Sequence, residues 1–372
     1  MTQTRDIILH IGHFKTGTTA LQVFCANNAE GLAGLGLHYA QTARHHDKHS
    51  TLPLTLLHEA GAHKMMFSFD PVEDSDALWD IFLEEARMLP EGHALLISSE
   101  ELIRLAAYPG AVERFRALVE RTPDIRIRAI AYLRAPQDHL ESYYNQLIKM
   151  GRDVPGFDAT VCHWLEPVHW DYALALHPWL EILGPRNVMI RQFTDDLRNE
   201  DAIYADFLAA LDKPMLLHPV GSGRDPNPKL DPRLLPLQRG LGRSDLKPRH
   251  IRDVVESARE TLAAEAGTGL GGGPDFAAIA KRSREGLELL AALPNASIDL
   301  PTMLDALPRA LDDGQRKMDE SVAMLSAEIG RLRSLVLSQQ ARIAKLEGAL
   351  GDDGPDRPRG GRGRKRRKDP EA

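Results

Sequence analysis

Cysteine and long apolar runs are scarce in this sequence. Its 372 residues include only two cysteines, Cys25 and Cys162, too few for a disulfide framework or a four-ligand zinc site. A reducing compartment suits this composition, so we expect a cytoplasmic protein. No stretch reaches the ~18 consecutive apolar residues of a membrane-spanning helix. The apolar run at 7–9 is too short for an export signal.

Neither positive nor negative charge is in large excess. The net charge is -7, with 27% charged and 43% hydrophobic residues. This composition is ordinary for a globular protein and argues against bulk nucleic-acid binding. A length of 372 residues exceeds that of most single domains, so we expect a main domain with appendages.

Strand-like and helix-like segments alternate over about the first 210 residues, which predicts an α/β fold with a P-loop-like parallel sheet flanked by helices. The predicted strands are 7–11, 94–98, 125–133 and 188–191, and the predicted helices are 18–29, 112–119, 137–149, 170–183 and 202–211. The predicted organisation is a main domain over 1–240, a helical extension over 241–311, a coiled coil over 312–350 and a tail over 351–372.

The predicted coiled coil shows a regular seam, in which residues of mainly apolar character recur alternately every four and three positions. The a positions are Val322, Ile329, Val336, Ile343 and Leu350, and the d positions are Met318, Leu325, Leu332, Gln339 and Leu346. β-branched residues at a and Leu at d favour a parallel two-stranded coil, so we expect a homodimer through 312–350. The alternative is one amphipathic helix that folds back on the main domain.

The tail is rich in Gly, Pro and charge, and we expect it to be disordered. Six of the seven residues at 362–368 are basic. Such a cluster suits an anionic membrane surface, a polyanionic glycan or nucleic acid, and the alternative is a solvated tail without a specific partner.

The most informative segment runs from a short apolar strand through a glycine-containing turn into a helix at 18. Gly12 and Gly17 let the backbone wrap closely around a phosphate, and the helix start offers free N–H groups. Lys15 adds a positive charge, and Thr18 and Thr19 add hydroxyl groups. These features predict a phosphate-binding loop.

The loop differs from that of nucleoside-triphosphate enzymes, in which the lysine directly follows the second glycine. Here Lys15 precedes Gly17 by two residues. No adjacent aspartate is evident to hold the magnesium ion that a triphosphate usually needs. A less charged phospho-anhydride suits this loop better, although a P-loop kinase or nucleotide hydrolase remains the first alternative.

The segment at 15–22, Lys-Thr-Gly-Thr-Thr-Ala-Leu-Gln, resembles the 5′-phosphosulfate loop of sulfotransferases that use 3′-phosphoadenosine 5′-phosphosulfate (PAPS). It is closer to the bacterial and carbohydrate-type branches of that family. The resemblance implies that Lys15, Thr16, Gly17, Thr18 and Thr19 bind the donor.

A second motif lies at 132–146. Arg134 ends a predicted strand, and Ser142 follows eight residues later on the next helix. An Arg and a Ser placed in this way can converge on one anion, through a charge-assisted contact and a hydroxyl group. The sulfotransferase family holds the 3′-phosphate of the donor with an Arg and a Ser at this spacing. The resemblance therefore assigns Arg134 and Ser142 to the 3′-phosphate.

Sulfuryl transfer is an in-line displacement in which positioning and charge stabilisation should dominate, by analogy with phosphoryl transfer. We expect Lys15 to neutralise the leaving oxygen and Glu100, at the end of the strand at 94–98, to take the proton of the acceptor. Glu101 is the rival base. His13 or His49 facing the acceptor is a further alternative.

The resemblance also makes Arg224 and Asn227 secondary candidates for contact with the PAPS donor. The histidines at 10, 13, 45, 46 and 49 lack nearby cysteines, and we expect no metal. The overall prediction is transfer of a sulfuryl group from PAPS to a hydroxyl of a glycan or glycoconjugate, with release of adenosine 3′,5′-bisphosphate. A non-catalytic coiled-coil scaffold with a degenerate nucleotide-binding head is the second alternative.

Overall fold

The computed structural model describes residues 5–62, 73–199, 201–216, 235–262, 276–311 and 313–351. The strands are β1 (Asp6–His10), β2 (Leu37–Tyr39), β3 (Ala94–Ser98), β4 (Arg126–Arg134), β5 (Val188–Phe193) and β6 (Ala296–Ser297). They form a parallel sheet in the order β2-β3-β1-β4-β5-β6. β1 and β3 are buried along their whole length, as expected for central strands covered on both faces.

The helices before residue 200 are α1 (Thr18–Asn27), α2 (Ala29–Gly34), α3 (Thr51–Glu59), α4 (Ser75–Met88), α5 (Pro109–Glu120), α6 (Pro136–Lys149), α7 (Phe157–Ala159) and α8 (Tyr172–Leu183). After it come α9 (Ala202–Ala210), α10 (Leu235–Gly242), α11 (Pro248–Leu262), α12 (Phe276–Ala291), α13 (Leu300–Asp305) and α14 (Asp313–Gly351). None of the helices in the described ranges is long and apolar enough to cross a membrane.

Two apolar cores lie on opposite faces of the sheet. Successive side chains of a strand point to opposite faces, so Ile7 and Leu9 join the larger core, which includes Trp179 of α8. Ile8 joins the second core, which includes Phe24 of α1. Helices therefore cover both faces, and the predicted α/β fold with a parallel sheet flanked by helices is confirmed.

Residues 276–311 are an integral part of this fold, although they fall in the predicted helical extension. β6 pairs with β5 at the edge of the sheet. Phe276 and Leu287 of α12 belong to the larger core. The backbone N–H of Gln137, in the first turn of α6, donates to the carbonyl of Ala306 at 2.8 Å. The last residues of the main domain thus support the start of the helix that carries the second motif.

Candidate active site

The predicted site residues that the structure describes gather at the carboxyl ends of the central strands. β1 lies between β3 and β4, and all three strands run in the same direction. The segments after their carboxyl ends are the glycine loop, a 3-10 helix at Glu100–Ala107 and α6. Connections leave in different directions at such a point, which opens the crevice where parallel α/β sheets bind ligands.

The glycine loop is a tight turn with three residues in the left-handed region. Gly12, Lys15 and Gly17 have φ angles of 69°, 65° and 76°. A lysine in this region is uncommon and stores local strain, which often marks a ligand-binding turn. At Gly17 a Cβ atom would lie 2.5 Å from Cδ1 of Ile203, so glycine lets the amino end of α1 pack closely on α9.

The threonines of the loop are placed differently from one another. The hydroxyl groups of Thr16 and Thr18 both donate to the carbonyl of His13, at 2.5 and 3.2 Å, and so fix the turn. Thr19 is exposed. No side chain of the described ranges caps the amino end of α1, where N–H groups and the helix dipole favour an anion.

Lys15 connects the loop to α6. Its ammonium group donates to Oε1 of Gln146 at 3.3 Å. Gln146 lies one helical turn beyond Ser142, so the cation of the first motif and the serine of the second motif face the same region of α6.

Three buried histidines lie beneath the loop. His13 donates from Nε2 to the carbonyl of Val168 at 2.8 Å, and its Nδ1 accepts from the backbone N–H of Phe14 at 2.9 Å. A hydrogen bond of 3.1 Å joins His139 to His169. Burial lowers the pKa of His13 to about 4 and that of the other two well below the ordinary value. All three rings are therefore neutral at physiological pH.

Spacing along the chain does not reveal this cluster, because His139 and His169 meet His13 only through tertiary contacts. Nitrogen atoms of the three rings lie within 4.8 Å of one another, as in a metal centre. Both nitrogens of His13 already bond to the backbone, however, so ligation through either one would break at least one buried hydrogen bond. The arrangement fits support of the loop better than metal binding.

Glu100 lies directly against the glycine loop. A Cβ atom at Gly12 would lie 3.0 Å from Cβ of Glu100. Its carboxylate accepts hydrogen bonds from Gln22 of α1 at 3.0 Å and from Lys48 at 3.1 Å. Its side chain is 15% exposed, so solvent or a ligand can reach it. The predicted base therefore faces the region where a donor would bind the loop.

Glu101 has a different environment. Its side chain is only 3% exposed, and it accepts hydrogen bonds from Lys48 at 2.7 Å, Ser50 at 3.0 Å and Ser99 at 2.6 Å. These three donors fully engage the carboxylate and suit a structural role. Of the two rival carboxylates, Glu100 is the more accessible.

Lys48 is the site residue that sequence reasoning missed. Burial opposes its charge, but Glu100 and Glu101 outweigh this effect, and the pKa of Lys48 is raised above its ordinary value. Its position depends on a tight turn in which the backbone N–H of His45 donates to the carbonyl of Lys48 at 2.8 Å. The only sequence signal was the unusual histidine-rich segment around it.

Neither alternative histidine faces an acceptor. His49 is fully buried, donates from Nε2 to the carbonyl of Ala40 at 2.9 Å and accepts from the N–H of Ser98 at 3.1 Å. His13 is committed to the backbone in the same way. The expectation that His13 or His49 could contact the acceptor is therefore wrong, because the backbone uses both nitrogens of each ring.

Arg134 ends β4 and is almost completely buried, with a side chain 3% exposed. Among the described residues, its nearest carboxylates are those of Asp138 and Asp195, 3.7 Å from Nη2, and its buried Nη1 atom has no hydrogen-bond partner. Burial, followed by the nearby charge of Arg198, lowers the pKa of Arg134. An anion at this position would relieve both effects.

Ser142 lies on the second turn of α6 and is buried. The hydroxyl group of Tyr172 donates to the carbonyl of Arg134 at 2.8 Å and so fixes the end of β4, from which α6 starts. Both members of the predicted pair therefore lie on the same strand–helix connection. Arg224, Asn227 and the tail beyond 351 lie outside the described residues.

Comparison with known proteins finds only distant similarities. No family model matches the chain, and no curated protein matches it. Among solved structures, the chain is similar to a sulfotransferase from Alicyclobacillus acidocaldarius, with 16% identity, a TM-score of 0.40 and coverage of 70% of this chain and 97% of that one. It is also similar to the sulfotransferase domain from the curacin biosynthetic pathway, with 15% identity, a TM-score of 0.28 and coverage of 58% and 75%. Because both TM-scores are below 0.5, we argue activity from the site alone.

Proposed function

We propose that the chain transfers the sulfuryl group of PAPS to a hydroxyl group of a glycan or glycoconjugate and releases adenosine 3′,5′-bisphosphate. The observation that carries the proposal is Arg134, a buried guanidinium group whose Nη1 atom has no hydrogen-bond partner in the part of the chain that the structure describes. A buried donor of this kind is costly unless a ligand satisfies it.

The two anion-binding places suit the two ends of one nucleotide. The glycine loop, with Lys15, Thr16, Gly17, Thr18 and Thr19, would hold the 5′-phosphosulfate on the free N–H groups of α1. On binding, the Thr18 hydroxyl group would turn from the carbonyl of the loop to the phosphate. Arg134 and Ser142 would hold the 3′-phosphate.

The chemical step needs a base and a stabilised leaving group. Glu100 would take the proton of the acceptor hydroxyl group while that oxygen forms a bond to sulfur. The bond between sulfur and the bridging phosphate oxygen breaks, and Lys15 would balance the charge that develops on that oxygen. Gln22 and Lys48 hold the Glu100 carboxylate in place.

The donor site is tested by calorimetric titration of adenosine 3′,5′-bisphosphate into the wild type and Arg134→Ala. Loss of charge-assisted hydrogen bonds worth about 1.5–3 kcal/mol should weaken binding roughly 10- to 150-fold. Arg126→Ala is the matched control, because Arg126 lies at the other end of β4 and pairs with Asp6. Its affinity should equal that of the wild type.

Two results would contradict the donor assignment. One is binding of ATP that is tighter than binding of adenosine 3′,5′-bisphosphate, which would favour a kinase or hydrolase. The other is equal affinity in Arg134→Ala and the wild type.

The reaction itself is tested with sulfur-labelled PAPS and a panel of carbohydrate and phenolic acceptors. Glu100→Gln should retain the affinity for adenosine 3′,5′-bisphosphate and lose turnover, since the amide cannot accept the proton. Label transfer to phenols alone would contradict the carbohydrate acceptor. Full turnover in Glu100→Gln would exclude this residue as the base.

A further inference from the structure

Helix α14 has two faces with different environments. On one face, Ser326 and Gly330 are buried, and a Cβ atom at Gly330 would lie only 2.6 Å from Cβ of Ser244. Further along the same face, Leu337 packs with Leu241 of α10 in a small apolar core. This face therefore docks on the main part of its own chain, at a point where glycine permits close approach.

The neighbouring face carries the heptad seam, and most of the seam side chains that the structure describes lie in solvent. The side chains of six seam residues are between 50% and 63% exposed. These are Met318, Ile329, Leu332, Val336, Ile343 and Leu346. Single exposed apolar residues are ordinary on a protein surface, but a continuous row of them marks an interaction surface.

We propose that this seam pairs with the same seam of a second copy of the chain, in parallel and in register, while the neighbouring face stays docked on its own domain. The proposal concerns α14 alone and does not depend on the proposed sulfuryl transfer. Folding back and pairing were alternatives for this helix, and the structure assigns them to different faces.

The residue types along the seam identify the occupant as a second copy. β-branched residues predominate at the a positions and Leu at the d positions, the combination that favours two parallel strands. Gln339 is a polar residue within the seam. In register it would face its own counterpart, whereas a shift by one heptad would place it against Leu332 or Leu346. A polar residue in a seam fixes the register in this way.

The charges beside the seam agree with this arrangement. Arg342 occupies a g position and Glu347 the following e position, and both are exposed. In a parallel coil in register, Arg342 of one copy faces Glu347 of the other, and the two-fold symmetry makes this contact twice. The same symmetry would place the two main domains at the same level along the coil, beside 326–337.

The first test is the mass of the full chain in solution, measured by light scattering on a size-exclusion column. The wild type should have about twice the 41.3 kDa of one chain. Leu332→Lys with Ile343→Lys places two charges in the seam and should yield single chains. Ser338→Lys with Ala341→Lys adds the same charge at exposed positions outside the seam and should remain dimeric.

A wild type of single-chain mass, or a seam variant that stays dimeric, would overturn the proposal. Cross-linking gives an answer even if the charged variants aggregate. In a parallel dimer in register, Leu346→Cys brings two thiols within disulfide distance, whereas Ala341→Cys points them apart. Mild oxidation should link only the first variant into a covalent dimer, with the wild type as the control for Cys25 and Cys162. Absence of linkage at 346, or equal linkage at 341, would exclude the parallel register.

Discussion

Lys48 offers the sharpest test of how the site is held together. Its ammonium group lies 3.1 Å from Oε1 of Glu100 and 2.7 Å from Oε1 of Glu101. Replacement by Met keeps most of the apolar stem and removes the charge. Two neighbouring carboxylates then remain without their cation, and one of them is almost completely buried.

The expected loss of stability follows from the burial of this ion pair. Removal of one partner of a buried ion pair costs about 3–5 kcal/mol. The side chain of Lys48 is 24% exposed, so water offsets part of the loss, and we expect Lys48→Met to lower the free energy of unfolding by about 2–3 kcal/mol at pH 7. The pKa of Lys48 is raised above 10.5 in the folded state. Its contribution is therefore complete below pH 10.5 and declines as the pH rises beyond that value.

The assay is urea unfolding followed by tryptophan fluorescence, since Trp79 and Trp179 are buried in the larger core. Lys48→Met combined with Glu101→Gln should cost at least ~1 kcal/mol less than the sum of the two single changes, because the double variant no longer leaves the Glu101 charge unpaired. Arg87→Met is the control, because its ion pair with Asp124 is half-exposed and contributes little. A stability of Lys48→Met within ~0.5 kcal/mol of the wild type, or strict additivity in the double variant, would refute this reasoning.

Two further predictions concern the loop and its support. Gly12→Ala should lower the urea midpoint more than Gly61→Ala does. Both glycines have φ near 70–75°, but only at Gly12 would the new Cβ lie 3.0 Å from Cβ of Glu100. Equal midpoints in the two variants would contradict this close approach. Burial lowers the pKa of His10 to about 3 and that of His13 to about 4. The unfolded chain then binds protons more readily, so stability should fall as the pH drops from 6.5 towards 4. Between pH 6.5 and 5 most carboxylates remain ionised, and a constant urea midpoint there would contradict neutral buried histidines.

The central fold could be predicted because its elements have strong local signals. The continuous apolar run of β3 gave its bounds correctly, and Pro136 marked the start of α6. α3 was missed because Leu52, Leu54 and Leu56 are all buried, which leaves no polar face to create a helical period. β2 and β6 were missed because strands of three and two residues are too short to show a pattern.

Helix α4 was also missed, although its sequence contains a helix signal. The side chain of Asp74 accepts from the N–H of Ala77 and caps α4, and Leu78 and Phe82 recur at helical spacing on its buried face. A capping residue before such a period predicts a helix.

The candidate site was predictable only where it is local in sequence. Lys15 and Thr18 belong to one turn, and Arg134 and Ser142 belong to one strand–helix connection. Lys48 meets Glu100 across 52 residues, and His13 meets Val168 across 155. Partners so far apart depend on the packing of several elements, which spacing along the chain does not reveal.

The supporting residues explain how charge is distributed around the site. The histidines directly beneath the loop, among them His13 and His139, are kept neutral by burial, so they add no charge that varies with pH near neutrality. Positive charge at the loop and at the end of β4 comes instead from Lys15 and Arg134, whose side-chain types remain protonated at neutral pH. On the other side of the loop, Lys48 balances the two carboxylates. In the proposed reaction, this arrangement separates a cationic region for a doubly phosphorylated donor from a carboxylate for the hydroxyl acceptor, and neutral rings support the turn between them.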